Sequence, residues 1–402
     1  MHSNLFFSVQ HAYGASQNNY WSAMIKDICA ALNRAGTQCD IVEAKNNNDF
    51  QNFLCVAIRE NRKFIATFNF VAPFPEISVC GNKVLMQELF SARSVTIFLD
   101  HPVHLTNAIG RFEQSGRRHN YRPTAAPLPV YGIMESGHAE ILHDLGVDSK
   151  RIFLFPQAGP SPLQVSLQPL PKRPIDLLFH GTISDVMPEE DFLKKHGLQH
   201  PSVRETVSQA LSDALDGNED IYISVKSGLS RRGIQNNVPR DAELARLLNL
   251  RARAIRRWKL LSTLSDIEVH FCGDVSDRFK AENPKGIYHG PMSFSAVCDL
   301  LKQTKVALND TINLRQAALI RFHYAMAHGC VVATEGNDWI RTNYSDGDDV
   351  LVLKGGGTDK AKITALLGDL DYAQSVACAG MAKQVAGHQW DHRLPPFLNA
   401  LE

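Results

Sequence analysis

The sequence predicts an α/β protein made of two doubly wound, Rossmann-like domains that face a cleft. The chain has 402 residues, which is too long for one ordinary hydrophobic core. Short β-rich runs alternate with longer amphipathic stretches in both halves, as is typical of parallel βαβ units. A proline-rich stretch without periodicity separates the halves. We therefore expect an N-terminal domain over 1–158, a linker over 159–174, a C-terminal domain over 175–375, and a segment over 376–402 that packs back across the first domain.

The charge balance excludes partners that are held by a global electrostatic field. The chain has 42 Lys and Arg against 42 Asp and Glu, so its formal net charge is zero. A nucleic-acid partner is therefore not expected, whereas peripheral contact with a membrane stays open. The N-terminus has no basic region before its short apolar run, and no run has the ~18 apolar residues of a membrane-spanning helix. We expect a cytoplasmic protein.

The cysteines predict neither a metal site nor a disulfide framework. There are eight, dispersed along the chain without a CxxC pair or a Cys/His cluster at zinc spacing. We expect them to be reduced and mostly buried.

The first half begins with a strand at 5–9 and a helix at 17–34. Trp21 and Ile28 lie on one face of that helix, and Gly36 follows as a stop signal. The remaining predicted elements of this half are strand 39–43, helix 48–60, strand 63–68, helix 83–91, strand 95–99, helix 135–145 and strand 152–155.

The second half restarts the alternation with a strand at 175–179. A basic helix is expected at 241–264, and a solvated face is its favoured interpretation because Trp258 is its one aromatic residue. The other predicted elements are helices 190–196 and 201–215, strands 267–272 and 287–288, helix 293–303, strand 306–308, helix 313–328, strands 330–334 and 350–353, and a helical tail over 359–387.

Open α/β sheets bind ligands at the carboxyl ends of their strands, so function is sought in the residues that follow strands. In the first domain His11 follows the first strand, and Asp100 and His101 follow strand 95–99. A histidine here can act as a general base, with Asp100 orienting either His11 or His101. The alternatives are a backbone hydrogen bond from His11 and a helix-capping role for Asp100.

In the second domain, His180, Gly181 and Thr182 follow strand 175–179, and Gly273 follows strand 267–272. Backbone N–H groups of such a turn can cradle a phosphate. Strand 306–308 leads to Asn309, and the next helix is expected to hold further polar groups. These are Asn313 in its N-cap region, Arg315 in its first turn, and Arg321 and Tyr324 on a shared face. The alternative is an ordinary amphipathic helix with solvated arginines.

The order of motifs in the second half resembles the nucleotide-sugar domain of GT-B glycosyltransferases. The motifs are HG at 180–181, VALN at 306–309, and a helix that ends in AMAHGCVVAT at 325–334. The resemblance is strongest to the branch of the CgeB-related spore-maturation proteins and the group 1 glycosyltransferases. Retaining members of that group carry two glutamates eight positions apart in this helix, whereas this chain has Gln316 and Tyr324 there.

The resemblance implies a metal-independent, cofactor-free glycosyltransferase of carbohydrate biosynthesis. Such an enzyme moves a sugar from a nucleotide-diphosphate sugar to the hydroxyl of a glycan, lipid-linked or other acceptor. The implied catalytic residues are His11, Asp100 and His101. The implied donor-binding residues are His180, Gly181, Thr182, Gly273, Asn309, Asn313, Arg315, Arg321 and Tyr324. Two alternatives remain: a catalytically silent glycan-binding or scaffold protein, which the missing glutamates favour, and a nucleotide-sugar 2-epimerase, which needs paired acidic residues in the cleft.

Overall fold

Two six-stranded parallel sheets form the framework of the protein. The computed structural model describes residues 5–10, 20–44, 64–68, 76–79, 82–85, 93–107, 109–110, 113, 128–161, 167–311 and 313–401. The strands of the first sheet, in spatial order, are β2 (Cys39–Ala44), β1 (Leu5–Gln10), β3 (Phe64–Phe68), β6 (Arg93–Ile97), β7 (Val130–Ile133) and β8 (Ile152–Leu154). Those of the second are β11 (Ile287–Gly290), β10 (His270–Cys272), β9 (Ile175–His180), β12 (Thr304–Asn309), β13 (Val331–Glu335) and β14 (Leu351–Leu353).

The second sheet has the strand order 3-2-1-4-5-6 of a doubly wound nucleotide-binding fold, counted from its own first strand. Its central strand β12 is buried along most of its length, because helices cover both faces of a parallel sheet. The predicted fold class, α/β with two Rossmann-like sheets, is confirmed.

Helices connect the strands, and their bounds agree with the sequence pattern over most of the chain. They are α1 (Tyr20–Arg34), α2 (Ala139–Asp144), α3 (Glu189–Lys195), α4 (Pro201–Asp216), α5 (Ile221–Arg231), α6 (Val238–Ser262), α7 (Asp277–Glu282), α8 (Phe294–Leu301), α9 (Ile320–Ala327), α10 (Asp338–Asn343), α11 (Gly357–Gly368), α12 (Leu370–Gly387) and α13 (Leu394–Leu401). None of these helices combines the length and the apolar character that a membrane-spanning segment needs.

Four helices, α3 to α6, lie between β9 and β10, where a single crossover helix would suffice. They share a hydrophobic core with Val103 and Ile141 of the first domain, and Tyr222 is fully buried in it. Helix α5 was not predicted. It is capped by Asp220, which accepts N–H bonds from Tyr222 and Ile223, and an Asp before an amphipathic run is the signal that identifies it.

The end of the chain packs on the first sheet. Helix α13 contacts β7 and β8, and the ring of Phe397 lies 5.5 Å from that of Phe155. Trp390 stacks on Phe155 at 5.8 Å. Arg34 of α1 forms an ion pair with Asp391 at 2.7 Å. Residues from about 390 onward are therefore part of the core beneath the first sheet.

Part of the proline-rich linker is firmly held. The guanidinium of Arg173 is buried and donates to the carbonyl oxygens of Gln168 (2.9 Å), Thr304 (2.8 Å) and His328 (3.0 Å). Burying an arginine is unfavourable unless its N–H groups are satisfied, and here three carbonyl oxygens satisfy them. This contact fixes the end of the linker to the second sheet.

Three expectations about local structure differ from the structure. Residues 82–85 form β5, which pairs antiparallel with β4 (Glu76–Val79), where the start of a helix at 83–91 was predicted. The helix predicted at 313–328 begins only at Ile320. Cys29 and Cys39 form a disulfide with Cα atoms 5.5 Å apart, because the turn after α1 brings β2 back beside it. The helix predicted at 48–60 lies outside the described residues.

Helix α12 lies so close to the backbone of the segment before β14 that one of its positions requires glycine. A Cβ atom on Gly380 would lie 2.5 Å from the carbonyl oxygen of Asp349. Glycine to alanine in a helix interior normally stabilises by about 1 kcal/mol. At position 380 we expect Gly380→Ala to lower the free energy of unfolding by about 1–3 kcal/mol because backbone must move.

Urea denaturation measures this change. Gly368→Ala is the matched control, since a Cβ atom on Gly368 meets nothing within 4 Å. An equal or higher stability of Gly380→Ala would contradict the close approach.

Candidate functional site

The carboxyl ends of β9, β10, β12 and β13 lie side by side at one edge of the second sheet, because all four strands are parallel. They end in His180, Cys272, Asn309 and Glu335 respectively. The residues that follow these strands form the floor of the candidate site. They include Gly181, Thr182 and Gly273, as the sequence predicts.

A buried carboxylate with two arginines occupies the centre of this floor. Asp310 follows β12 directly and is fully buried. Its Oδ2 accepts from Nε of Arg257 in α6 at 2.9 Å, and its Oδ1 accepts from Arg321 at the start of α9. Burial by itself raises the pKa of Asp310, but the charges of Arg257 and Arg321 hold it well below its usual range. The cluster is therefore ionised at neutral pH.

The same two arginines hold the turn that follows β9. Arg321 donates to the carbonyl oxygen of His180, and Arg257 donates to that of Thr182 at 2.5 Å. A Cβ atom on Gly181, where φ is +155°, would lie 2.6 Å from Nη1 of Arg321. A Cβ atom on Gly273, where φ is +132°, would lie 2.7 Å from the carbonyl oxygen of Gly181. Both glycines are required by this close approach.

A second arginine of α6 supports the adjacent loop. Arg256 donates to the carbonyl oxygens of Ala214 (2.5 Å) and Leu215 (2.7 Å), and to Oδ1 of Asn313 (3.1 Å). Its Nη1 lies 3.4 Å from Oε2 of Glu335. Asn313 has a left-handed backbone with φ of 63°, a conformation that asparagine tolerates.

The loop before α9 departs from the predicted helix because side chains of the first domain bind its backbone. The carboxylate of Glu135 accepts N–H bonds from Arg315 (2.8 Å) and Gln316 (2.9 Å), and Gln157 accepts from the N–H of Ile320. Asn313 and Arg315 are therefore loop residues, and the prediction that they lie at the cap and first turn of a helix is wrong. The side chain of Arg315 lies 3.7 Å from Asp338.

A cavity of about 430 Å³ opens beside this floor, at the ends of β9, β10 and β11. Its wall combines backbone N–H groups with short polar side chains and one aromatic ring. Its lining residues are Thr182, Ile183, Ser184, Gly273, Asp274, Val275, Ser276, Lys280, Tyr288, Gly290 and Pro291. A cavity of this size and polarity is suited to a nucleoside.

Three predicted donor residues point into the protein interior. Nδ2 of Asn309 donates to Oγ1 of Thr334 at 3.0 Å, which joins β12 to β13. The hydroxyl of Tyr324, which is buried, donates to Asp27 of α1 and so joins the two domains. His180 lies against Phe294, and burial together with the charges of Arg321 and Arg257 lowers its pKa to about 3.

A buried network joins the first domain to the N-terminus of α5. His101 accepts from the N–H of Val103 through Nδ1 (3.1 Å), and its Nε2 lies 2.8 Å from Oδ2 of Asp220. His138 lies beside them, and burial holds its pKa well below the usual value. One ligand atom each from His101, His138 and Asp220 lies within 4.8 Å of the others, an arrangement that can hold a metal ion. Because Nδ1 of His101 is an acceptor, Nε2 carries the proton and donates to Asp220, which favours a hydrogen-bonded pair.

The predicted base and its orienting group are only partly placed by the structure. His11 lies outside the described residues. Asp100 is partly exposed and lies 3.6 Å from Nη2 of Arg253 in α6. Both ring nitrogens of His101 are engaged, so this ring has no spare acceptor in the arrangement described.

Sequence reasoning did not select five residues that shape the site: Arg256, Arg257, Asp220, Asp310 and Glu335. Three of them had a signal in the sequence. Arg256 and Arg257 belong to the basic helix, whose arginines were interpreted as a solvated face, although Arg257 is buried. Asp310 follows Asn309 at the end of a buried strand, the position at which ligand-binding groups gather in such folds.

Comparison with known proteins agrees with this geometry. Residues 251–399 match the model of a family described as glycosyl transferase-like. A glycosyltransferase from Rickettsia africae ESF-5 is similar in structure, with a TM-score of 0.51 and 9% identity over 100% of this chain and 98% of that one. Anabaena Alr3699/HepE, solved in complex with UDP and glucose, has a TM-score of 0.51 and 9% identity over 100% and 99%. No curated protein sequence matches significantly.

The chain has the GT-B glycosyltransferase fold. The predicted resemblance to group 1 glycosyltransferases is confirmed in the matched region, which contains α9 and the strands on either side of it. The prediction that the protein is a glycosyltransferase-type enzyme is confirmed by the same match. All three residues of the Arg257–Asp310–Arg321 cluster lie within the matched region.

The lowered pKa of His180 makes the stability of this protein depend on pH. Between an ordinary histidine pKa near 6.5 and about 3, the unfolded chain binds a proton at this side chain that the folded chain does not. Stability is therefore lost as the pH falls through this window. From pH 7 to pH 5 we expect a loss of about 1–2 kcal/mol from His180.

Urea denaturation of wild type and His180→Gln at both pH values isolates this contribution. His143→Gln, at an exposed histidine, is the control. A wild-type loss on acidification that His180→Gln leaves unchanged would show that His180 titrates normally.

Proposed function

We propose that this enzyme transfers a sugar from a uridine-diphosphate sugar to the hydroxyl group of an acceptor without a metal ion. The observation that carries the proposal is the juxtaposition of a nucleoside-sized cavity with the arginine-rich floor of the second sheet. The complexes of the structural neighbour Anabaena Alr3699/HepE with UDP and glucose, and with UDP-glucose, support a UDP-linked donor.

Arginine side chains can take the role that a divalent cation has in other transferases. The leaving diphosphate gains negative charge as the glycosidic bond breaks, and fixed donors aimed at that charge lower the barrier. Arg257 and Arg321 each use two of their five N–H groups in contacts with described residues. Their remaining N–H groups, with the N–H groups of the turn at 181–182, can bind diphosphate oxygens.

The acceptor enters from the first domain in this proposal. His11 is the proposed base for its hydroxyl group, because in the sequence it comes directly after β1, and ligand-binding groups of such folds follow their strands. Asp100 is proposed to support this side of the cleft. His101 is better suited to a positioning role, since its ring nitrogens are already bound to Val103 and Asp220.

A scaffold function is the second candidate, and the position of Tyr324 favours it. Tyr324 stands where retaining group 1 glycosyltransferases have a glutamate, and its hydroxyl donates a hydrogen bond to Asp27. Calorimetry against UDP-, GDP-, TDP- and CMP-sugars, followed by an assay for donor hydrolysis, separates the candidates. Binding with hydrolysis supports the transferase, whereas silence across the panel supports the scaffold.

Arg321→Ala tests the diphosphate site. It removes a charged donor at the floor, so we expect the Kd for UDP to rise by about 10- to 100-fold. Transfer should be lost while circular dichroism shows a folded protein. Arg246→Ala, at an ion-paired arginine on α6, is the control and should bind UDP as wild type does. Unchanged UDP affinity in Arg321→Ala would remove Arg321 from the donor site.

His11→Ala tests the acceptor half. We expect kcat to fall by 100-fold or more, as for the loss of a general base, with an unchanged Kd for UDP. Rate measurements under saturating donor check this. A kcat equal to that of wild type would remove His11 as base.

A further inference from the structure

Carboxylate oxygens accept hydrogen bonds from sugar hydroxyl groups, and the carboxylates at the floor of the site differ in how many free oxygen atoms they offer. Asp310 is fully buried and both of its oxygens accept from arginine. The Oε2 atom of Glu135 accepts two backbone N–H bonds, and its Oε1 lies 3.6 Å from His138. Asp310 has no oxygen left for a substrate, and Glu135 is only 3% exposed, so neither carboxylate is open to one.

Glu335 differs from both. It ends β13, beside the end of β12, and its side chain is 14% exposed. Its contacts with described residues fall on Oε2: the N–H and Oγ1 of Thr311, each at 3.4 Å, and Nη1 of Arg256 at 3.4 Å. Among the described residues Oε1 has no hydrogen-bond partner.

The carboxylate of Glu335 is also held in a fixed place. Arg256 is anchored by the carbonyl oxygens of Ala214 and Leu215, so the cation beside Oε2 cannot follow a moving side chain. Thr311 is the residue after Asp310, which places Glu335 directly beside the arginine cluster. A sugar attached to a diphosphate bound by Arg257 and Arg321 would come near this carboxylate.

We propose that Glu335 is a specificity-determining residue for the donor sugar. Its Oε1 accepts hydrogen bonds from ring hydroxyls of the sugar, while Arg256 and Thr311 hold its Oε2. The carboxylate thus comes from the end of a strand. The two positions that have glutamates in retaining members of the similar group, 316 and 324, have glutamine and tyrosine in this chain. This inference rests on the proposed function, because it requires a nucleotide sugar at the site.

Calorimetry tests the proposal. Wild type is first measured with UDP-glucose, UDP-galactose and UDP-N-acetylglucosamine, and the UDP-sugar that it binds best is then compared with UDP in each variant. Glu335→Gln should weaken the UDP-sugar about tenfold while the Kd for UDP stays within twofold. Glu335→Asp keeps the charge beside Arg256, and its affinity for the UDP-sugar should lie between those of wild type and Glu335→Gln. This variant also tests the proposal if Glu335→Gln folds poorly. Glu282→Gln, at an exposed glutamate paired with an arginine, is the matched control and should change neither affinity.

Deoxy analogues of the chosen donor give a second readout. In wild type, the analogue that lacks the hydroxyl bound by Glu335 should bind about tenfold more weakly than the parent. In Glu335→Ala, which has no acceptor atom at this position, that difference should vanish, since the two changes remove the same contact.

The outcomes separate this inference from the proposed function. Equal weakening of UDP and UDP-sugar in Glu335→Gln, or no weakening of either, would overturn the role of Glu335 and leave a nucleotide-sugar transferase in place. No binding of UDP or any UDP-sugar by wild type would overturn both.

Discussion

The buried ion cluster of Asp310 with Arg257 and Arg321 is the interaction on which the second domain depends. It joins the end of β12 to α6 and α9, and through His180 and Thr182 to the turn after β9. A buried charge is tolerated only when it is paired and hydrogen-bonded, so these elements have to meet at one point. The cost of desolvating three charged groups makes this cluster a poor choice for stability alone, and it is better understood as the positioning of donors at a binding site.

Several features of the floor follow from that cluster. Arg321 approaches the turn after β9 so closely that Gly181 has no room for a side chain, and Gly181 in turn excludes one from Gly273. His180 lies beside two guanidinium groups and stays neutral. The opening at the ends of β9 to β11 is lined by the turns that follow these strands, which include Thr182 and Gly273.

The contacts between the domains fall on the same elements. Glu135 and Gln157 bind the backbone of the loop before α9, Tyr324 of α9 binds Asp27, and Arg253 of α6 lies beside Asp100. The elements that position the arginines are thus also those that the first domain contacts. A change in the separation of the domains would alter the candidate site, because the loop before α9 contacts both domains.

The sequence by itself determined the fold class, because a parallel sheet buries continuous apolar strands and amphipathic helices must alternate with them. It also placed the turn at 181–182 and Asn309 at the carboxyl ends of strands, where ligands gather in such folds. It could not determine which charges are paired, because Asp310 and Arg257 are 53 residues apart and meet only in the folded chain. The start of α9 was decided by tertiary structure for the same reason: Glu135, about 180 residues away, binds the N–H groups of Arg315 and Gln316 in a loop. Local propensity predicts a helix there, but hydrogen bonds from a distant side chain outweigh it, and only the folded chain brings that side chain into contact.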